Sequence, residues 1–311
     1  IKLNGGSIQE SRTLHSMIYS VEEFRELYRQ MIINAKNCKD TVQSGFVRLE
    51  KSLPEHGLKT YLGLGYVERT PDFWELYSTS TDRGVGSTDM MGMTTYRMLD
   101  NLDNLKTERT AQLDLGFQAE HGAWSAWASA YAGLIKDFIL LEYNTPTMRQ
   151  PLARNVDATI AGAEAGLGYQ FTDHFQGDIS AVYAWGENTT DHTALPQIAP
   201  LEGRFNLRYV QEKYNLGLLW RVVAAQDRTS YREGNIIGYD LEDSKGFGTL
   251  SLNGTYNIQK DLDLSVGIDN VLNKNYAEHL NKLGSSGFGY AATEQFNNIG
   301  RNYWARISMK F

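Results

Sequence analysis

The sequence predicts an all-β fold, an antiparallel barrel that crosses a bilayer, and three observations carry that reading. Segments of strict two-residue alternation run from about residue 41 to the end. Short polar turns and long connections then alternate between those segments. No stretch approaches 18 consecutive apolar residues, so helical spans are excluded while strand spans are not. The mean hydropathy of −0.42 fits this picture, because a barrel strand averages lipid-facing and lumen-facing residues.

The last strand is the plainest. Tyr303, Ala305, Ile307, Met309 and Phe311 share one face, and Asn302, Trp304, Arg306, Ser308 and Lys310 the other. Leu113, Leu115, Phe117 and Ala119 alternate with Gln112, Asp114, Gly116, Gln118 and Glu120, and the same period recurs around 163–171, 179–185, 204–209 and 262–269. About eleven strands of roughly 10–15 residues result, a length that spans a tilted bilayer crossing. Short turns are expected at 54–57, 121–122, 172–174, 211–213 and 259–261, with long connections at 71–105, 144–151, 188–200, 229–243 and 274–298. A β-sandwich has no such alternation of connections. Aromatic residues gather toward strand ends, among them Tyr66, Tyr131, Tyr169, Phe171, Tyr183 and Trp185, as interfacial girdles require.

Residues 1–40 read differently. Leu14, Met17, Ile18, Val21, Phe24, Leu27, Tyr28, Met31 and Ile32 recur at helical spacing. The expected division is therefore a helical loop or non-barrel segment at 1–40, with residues 13–35 as its helix, and a barrel portion at 41–311.

Composition narrows the function. The chain has 311 residues, 30 Lys+Arg against 37 Asp+Glu and a net charge of −7, which argues against nucleic acid as a partner. Cys38 is the single cysteine, so disulfide scaffolds and multi-cysteine metal motifs are excluded. No nucleophile elbow, phosphate loop, HExxH or CxxC occurs, and the expectation is a protein without catalytic residues or a bound cofactor.

One loop stands out chemically. Residues 88–98, TDMMGMTTYRM, place Met90, Met91, Met93 and Met98 together, half of the chain's eight methionines. Thioethers are soft ligands suited to Cu(I), which makes these four the candidate metal ligands. Loop methionines that merely cover neighbouring loops would give the same pattern. His15 and Met17 lie two apart on the expected helix and point to different faces. His56, His121, His174, His192 and His279 do not cluster in sequence, and each reads as a polar turn or loop residue.

Several segments resemble TonB-dependent outer-membrane receptors. GLGYVERTPDFWELY (63–77) is similar to that family's Arg, small residue, Pro, then Glu-Leu-Tyr pattern, here Arg69, Thr70, Pro71, Glu75, Leu76 and Tyr77. LKTERTAQLDLGF (105–117), IKDFI (135–139) and ARNVDATIAGAE (153–164) resemble its strand starts and ends. VGIDNVLNKNYAEHL (266–280) looks like its Asn-Leu-Phe-Asp-x-x-Tyr turn near the C-terminus, carried by Asn270, Val271, Leu272, Asn273 and Tyr276, with departures at Val271 and Asn273. Within the family, residues 181–209, 219–228, 245–256 and 278–290 resemble the copper receptors most.

The resemblance implies a barrel of about 22 strands with a plug in its lumen, of which this chain is about the C-terminal half. It implies copper as transported substrate, a TonB-type energy-coupling protein and the plug domain as partners, and lipid of the bacterial outer membrane as surroundings. The plug, the energy-coupling box and the first half of the barrel are expected to lie outside the chain. A siderophore or other metal-chelate receptor, or a passive porin-like barrel, is the alternative.

Overall fold

The computed structural model describes residues 41–72, 75, 105–143, 152–235, 238–281, 291 and 294–310. The expected helix at 13–35, Cys38 and all four candidate methionines lie outside these residues.

Eleven strands make one antiparallel meander, each paired with its neighbours in chain order. They are β1 (Ser44–Leu53), β2 (Leu58–Arg69), β3 (Glu108–His121), β4 (Trp124–Glu142), β5 (Leu152–Gln170) and β6 (Phe175–Asn188), followed by β8 (Glu202–Val210), β9 (Tyr214–Val223), β11 (Phe247–Gln259), β12 (Leu262–Asp269) and β13 (Asn302–Met309). Two short strands complete the sheet. β7 (Thr193–Ala194) pairs with β6, and β10 (Glu233–Gly234) with β4. Among the described residues β1 pairs only with β2, and β13 only with β12. The sheet is therefore open at both edges.

The expected alternation of connections is present. Short turns join β1 to β2, β3 to β4, β5 to β6, β8 to β9 and β11 to β12, all at one end of the sheet. The first is a 3-10 turn, Pro54–His56, closed by Gly57 at φ 58°. A side chain at Gly57 would meet the Glu120 backbone as well as the unfavourable φ. The long connections lie at the opposite end.

Strand length departs from the uniform expectation. β12 and β13 have 8 residues, whereas β4 and β5 have 19 each. A bilayer crossing needs about 9–11 residues, so β4 and β5 continue well beyond it on the long-connection side. Asp137, at φ 57°, bulges there and shifts the β4–β5 register between Ile135 and Phe138. Beyond the bulge, Ile139, Leu141 and Ala153 form a buried cluster, and Leu140 and Val156 are buried as well. One solvent-shielded cluster thus sits in this extension, and a second, of Ile135, Ala158 and Leu195, lies just before the bulge.

Within the bilayer-length portion the apolar stripe faces outward. Leu64, Leu115, Trp220 and Ile307 are 60%, 48%, 53% and 71% exposed, as lipid-facing residues must be in the bare chain. On the other face, aromatic rings lie over cross-strand glycines. Tyr61 covers Gly116, Tyr131 covers Gly162, Trp127 covers Gly166 and Trp304 covers Gly267. A Cβ at Gly116 would sit 2.5 Å from the Tyr61 ring. At the short-turn end an aromatic band runs from Trp124 to Tyr169 at 4.3 Å, on to Phe171 at 5.0 Å and Phe175 at 5.4 Å. Tyr209 and Tyr214 continue that chemistry at the next turn. Of the aromatic residues expected in a girdle, Tyr169 and Phe171 belong to this band, whereas Tyr131 lies within β4 on the other face, over Gly162.

Candidate functional site

The lumen wall is polar and self-satisfied. Ser129 donates to Glu164 at 2.8 Å, Gln112 to Asp114 at 2.8 Å and Asn206 to Asp178 at 2.8 Å. At the β1 end of the sheet, Arg48 lies 4.2 Å from the centre of the Tyr61 ring. Around it a cavity of about 630 Å³ is lined by Glu50, Lys59, Gln118 and Trp127, among others.

The denser chemistry lies at the long-connection end, which forms a charged crown. Four motifs that are distant in sequence meet there in one knot. Arg69, at the end of β2, donates to Glu75 at 2.8 Å and to Glu108 at 2.9 Å. Asp72 and Glu75 cap each other reciprocally, backbone N–H to carboxylate, at 2.8 and 2.9 Å. Glu108 also accepts the Ile139 N–H at 3.2 Å. Asn155 exchanges hydrogen bonds with the Lys106 backbone at 2.8 and 3.1 Å and donates to the Asp137 carbonyl at 2.6 Å. The knot therefore fixes both feet of the connection that carries Met90, Met91, Met93 and Met98.

Two further arginine centres follow around the crown. Arg154 pairs with Glu142, with Asp191 at 2.7 Å and with Glu233 at 2.9 Å. Arg221 pairs with Glu202 at 2.6 Å and Glu278 at 2.5 Å. Arg204 joins the last of these through Glu202 at 2.6 Å, so in the three clusters seven carboxylates (Glu75, Glu108, Glu142, Asp191, Glu233, Glu202 and Glu278) meet four guanidiniums. Hydrogen bonds from Arg154 and Asn188 hold the Asp191 carboxyl below its ordinary range. Burial pushes the Tyr143 phenol up to about 12. Its ring stacks on Tyr239 at 4.3 Å, and its hydroxyl donates to the Asn235 carbonyl at 2.7 Å.

The turn after β12 is a second knot. Asn270 (φ 49°) and Asn273 (φ 52°) both adopt the left-handed region that asparagine tolerates. The buried Asn270 amide exchanges two 2.8 Å bonds with the Lys274 backbone. Asn273 accepts the Arg301 N–H at 2.9 Å, and Arg301 returns a 2.8 Å bond to the Val271 carbonyl. Tyr276 packs on Phe247 with ring centres 4.3 Å apart. The amide at 273 thus ties this turn to the residue that precedes β13.

The histidines divide. His174 accompanies its short turn, Nδ1 3.0 Å from the Val210 carbonyl. His279 lies in the connection between β12 and β13 as expected, yet it is 5% exposed and faces the buried Asp240. Sequence spacing gave no sign of this, because its contacts lie more than 30 residues away. Among the described residues no group of three His, Cys, Asp or Glu side chains is placed to hold a metal ion.

An antiparallel wall with an apolar outer stripe, an aromatic band at the short-turn end and a charged crown at the other defines the class: the wall of a transmembrane β-barrel. The chain belongs to the TonB-dependent receptor β-barrel family, whose sequence model, described as TonB dependent receptor-like, beta-barrel, matches residues 48–271. Members of this family are outer-membrane receptors rather than enzymes, which places the wall in the bacterial outer membrane. No curated protein matches the chain.

Solved structures match widely. The copper transporter OprC is 43% identical with a TM-score of 0.78, over 88% of this chain and 40% of that one. The ferric enterobactin receptor of Pseudomonas aeruginosa, in a mutant form, is 18% identical with a TM-score of 0.63, over 86% and 40%. The FrpB iron transporter from Neisseria meningitidis is 17% identical with a TM-score of 0.58, over 86% and 38%. The latter two share the fold. The chain spans about 40% of the length of the OprC chain it matches.

Proposed function

We propose that this chain is the C-terminal part of a TonB-dependent receptor that carries copper across the outer membrane. The observation that supports this best is the 43% identity with a copper transporter across nearly the whole wall, against 17–18% for the iron receptors. The crown supports it independently. Its carboxylate excess favours a cation over an anionic ferric chelate.

In this reading residues 41–311 supply about eleven strands of a 22-stranded barrel. The open edges of β1 and β13 are completed by strands of the same receptor, since unpaired backbone groups in hydrocarbon cost several kcal/mol each. Residues 1–40 form a helical segment outside the barrel wall. A plug fills the lumen face, where Arg48, Tyr61 and Trp127 line their cavity, and a TonB-type protein drives it from the periplasm. Met90, Met91, Met93 and Met98 gather Cu(I) on a connection whose two feet the Arg69 knot holds in place.

Copper uptake by cells carrying the intact receptor tests this. Replacing Met90, Met91, Met93 and Met98 by Leu is expected to lower uptake about tenfold or more while surface levels of receptor stay unchanged. Unaltered copper uptake would refute the methionine assignment. Preferential binding of a ferric siderophore over copper by the purified receptor would refute the copper reading itself.

A further inference from the structure

The one buried side-chain nitrogen or oxygen without a hydrogen-bond partner among the described residues is His279 Nε2. It lies 3.5 Å from Asp240 Oδ1, and both side chains are essentially inaccessible, at 2% and 0%. They line a cavity of about 220 Å³, together with Glu242, Asp243, Tyr231 and Gln295 among others. We propose that His279 Nε2 and Asp240 Oδ1 form a docking site for a divalent transition-metal ion, with Cu(II) the ion in the cell.

The surroundings aim both ligands. His279 Nδ1 is 3.1 Å from Ser244 Oγ. An Nδ1–H donated to that hydroxyl leaves the Nε2 lone pair facing the carboxylate, the tautomer a metal-binding imidazole needs. Asp240 Oδ1 accepts from the Gln197 N–H at 3.1 Å and the Gln197 side-chain amide at 2.8 Å, and Oδ2 accepts from the Ser230 N–H at 3.1 Å. In that tautomer the Asp240 carboxylate faces the Nε2 lone pair at 3.5 Å, an arrangement that a cation stabilises.

The spacing suits a metal. Bond lengths of about 2.0–2.1 Å to imidazole nitrogen and carboxylate oxygen give a ligand-to-ligand edge of about 3.3 Å in tetrahedral Zn(II) and about 2.9 Å between cis ligands of tetragonal Cu(II). The observed 3.5 Å closes to the first with a small side-chain shift and to the second with a shift of about half an ångström. Two protein ligands leave the other positions to water in the cavity, so the ion is held loosely enough to pass on. Imidazole and carboxylate prefer Cu(II) or Zn(II) to Cu(I), so this site and the methionine connection would take different oxidation states. Because Asp240 lies between β9 and β11 and His279 between β12 and β13, a bound ion also ties two connections of the crown together.

Only the identity of the ion in the cell rests on the copper reading, so the test is made on purified protein. The intact receptor in detergent, with Met90, Met91, Met93 and Met98 replaced by Leu, is titrated with Cu(II) and examined by pulsed EPR. Zn(II) competes in a parallel calorimetric titration. The expected result is a Cu(II) centre carrying a single imidazole signature, lost in His279→Gln, with affinity lowered about tenfold or more in Asp240→Asn and Cu(II) displaced by Zn(II). Absence of the imidazole signature in the parent, or its persistence in His279→Gln, would overturn the proposal. Should His279→Gln fail to assemble, Asp240→Asn preserves shape, and an unchanged Cu(II) affinity there would overturn it equally. Cu(II) binding at this pair in a receptor that imports no copper would leave the site standing and remove the copper reading.

Discussion

The wall and the crown are built from the same strands yet held together by opposite means. In the wall, large apolar residues such as Leu115 point outward and remain 48% exposed in the chain by itself. Hydrocarbon is their partner, and cohesion comes from the antiparallel ladders. In the crown, beyond the Asp137 bulge, Leu140 is fully buried, and Arg154, its partner across the β4–β5 ladder, pairs with three carboxylates. The crown behaves like a small water-soluble core on top of a membrane sheet. Chemistry therefore concentrates where water and protein meet.

Deleting apolar volume separates the two regions most strongly. Leu140→Ala is expected to destabilise the crown by about 2–5 kcal/mol, because a cavity opens in packed protein. Leu115→Ala should cost about 2 kcal/mol, the lost transfer of its side-chain carbons into hydrocarbon with no cavity term, since lipid fills the space. Denaturant titration of the refolded intact receptor in lipid compares them, and equal losses would erase the distinction. Charge reverses the ranking. Leu115→Arg near the middle of β3 should cost about 2–4 kcal/mol at the bilayer midplane. Read by insertion yield into vesicles, full insertion would place that stripe away from lipid.

A smaller effect is expected at the turn after β12. Asn270→Ala removes both bonds to the Lys274 backbone and places alanine at φ 49°, costing about 1–3 kcal/mol. Hydrogen exchange over 270–276 should accelerate while the β3–β4 ladder is unchanged. The smallest effect comes with pH. The depressed Asp191 carboxyl contributes stability that is present above its unfolded value of about 3.9 and is lost as pH falls through the lower folded value. Exchange at the turn following β6 should therefore be flat from pH 5 to 8, after correction for intrinsic rates, and rise only below about pH 4.

Much of the wall was legible from period two alone. The outward stripe of β3, the lumen face of β13 and all five short turns follow from side-chain alternation and turn chemistry, which are local. The resemblance motifs were legible as words but not as an object. Arg69, Glu108, Ile139 and Asn155 act together only because adjacent strands bring them to one height. The uneven strand lengths escaped the sequence because the continuation of β4 past its bulge depends on pairing with β5, not on composition. His279 escaped for a similar reason: Asp240, Ser244 and Gln197 reach its site from two other connections.

The proposed receptor reading requires that the wall span the outer membrane with the crown outside and the short turns in the periplasm, as barrels with short turns at one end and long connections at the other do. Single cysteines at Thr190 in the crown and Gly122 in a short turn, in the intact receptor with Cys38→Ser, test it with a membrane-impermeant maleimide on whole cells. The account predicts that Thr190→Cys labels on intact cells and Gly122→Cys only after the outer membrane is opened. Labelling of Gly122→Cys on intact cells, with Thr190→Cys protected, would contradict it.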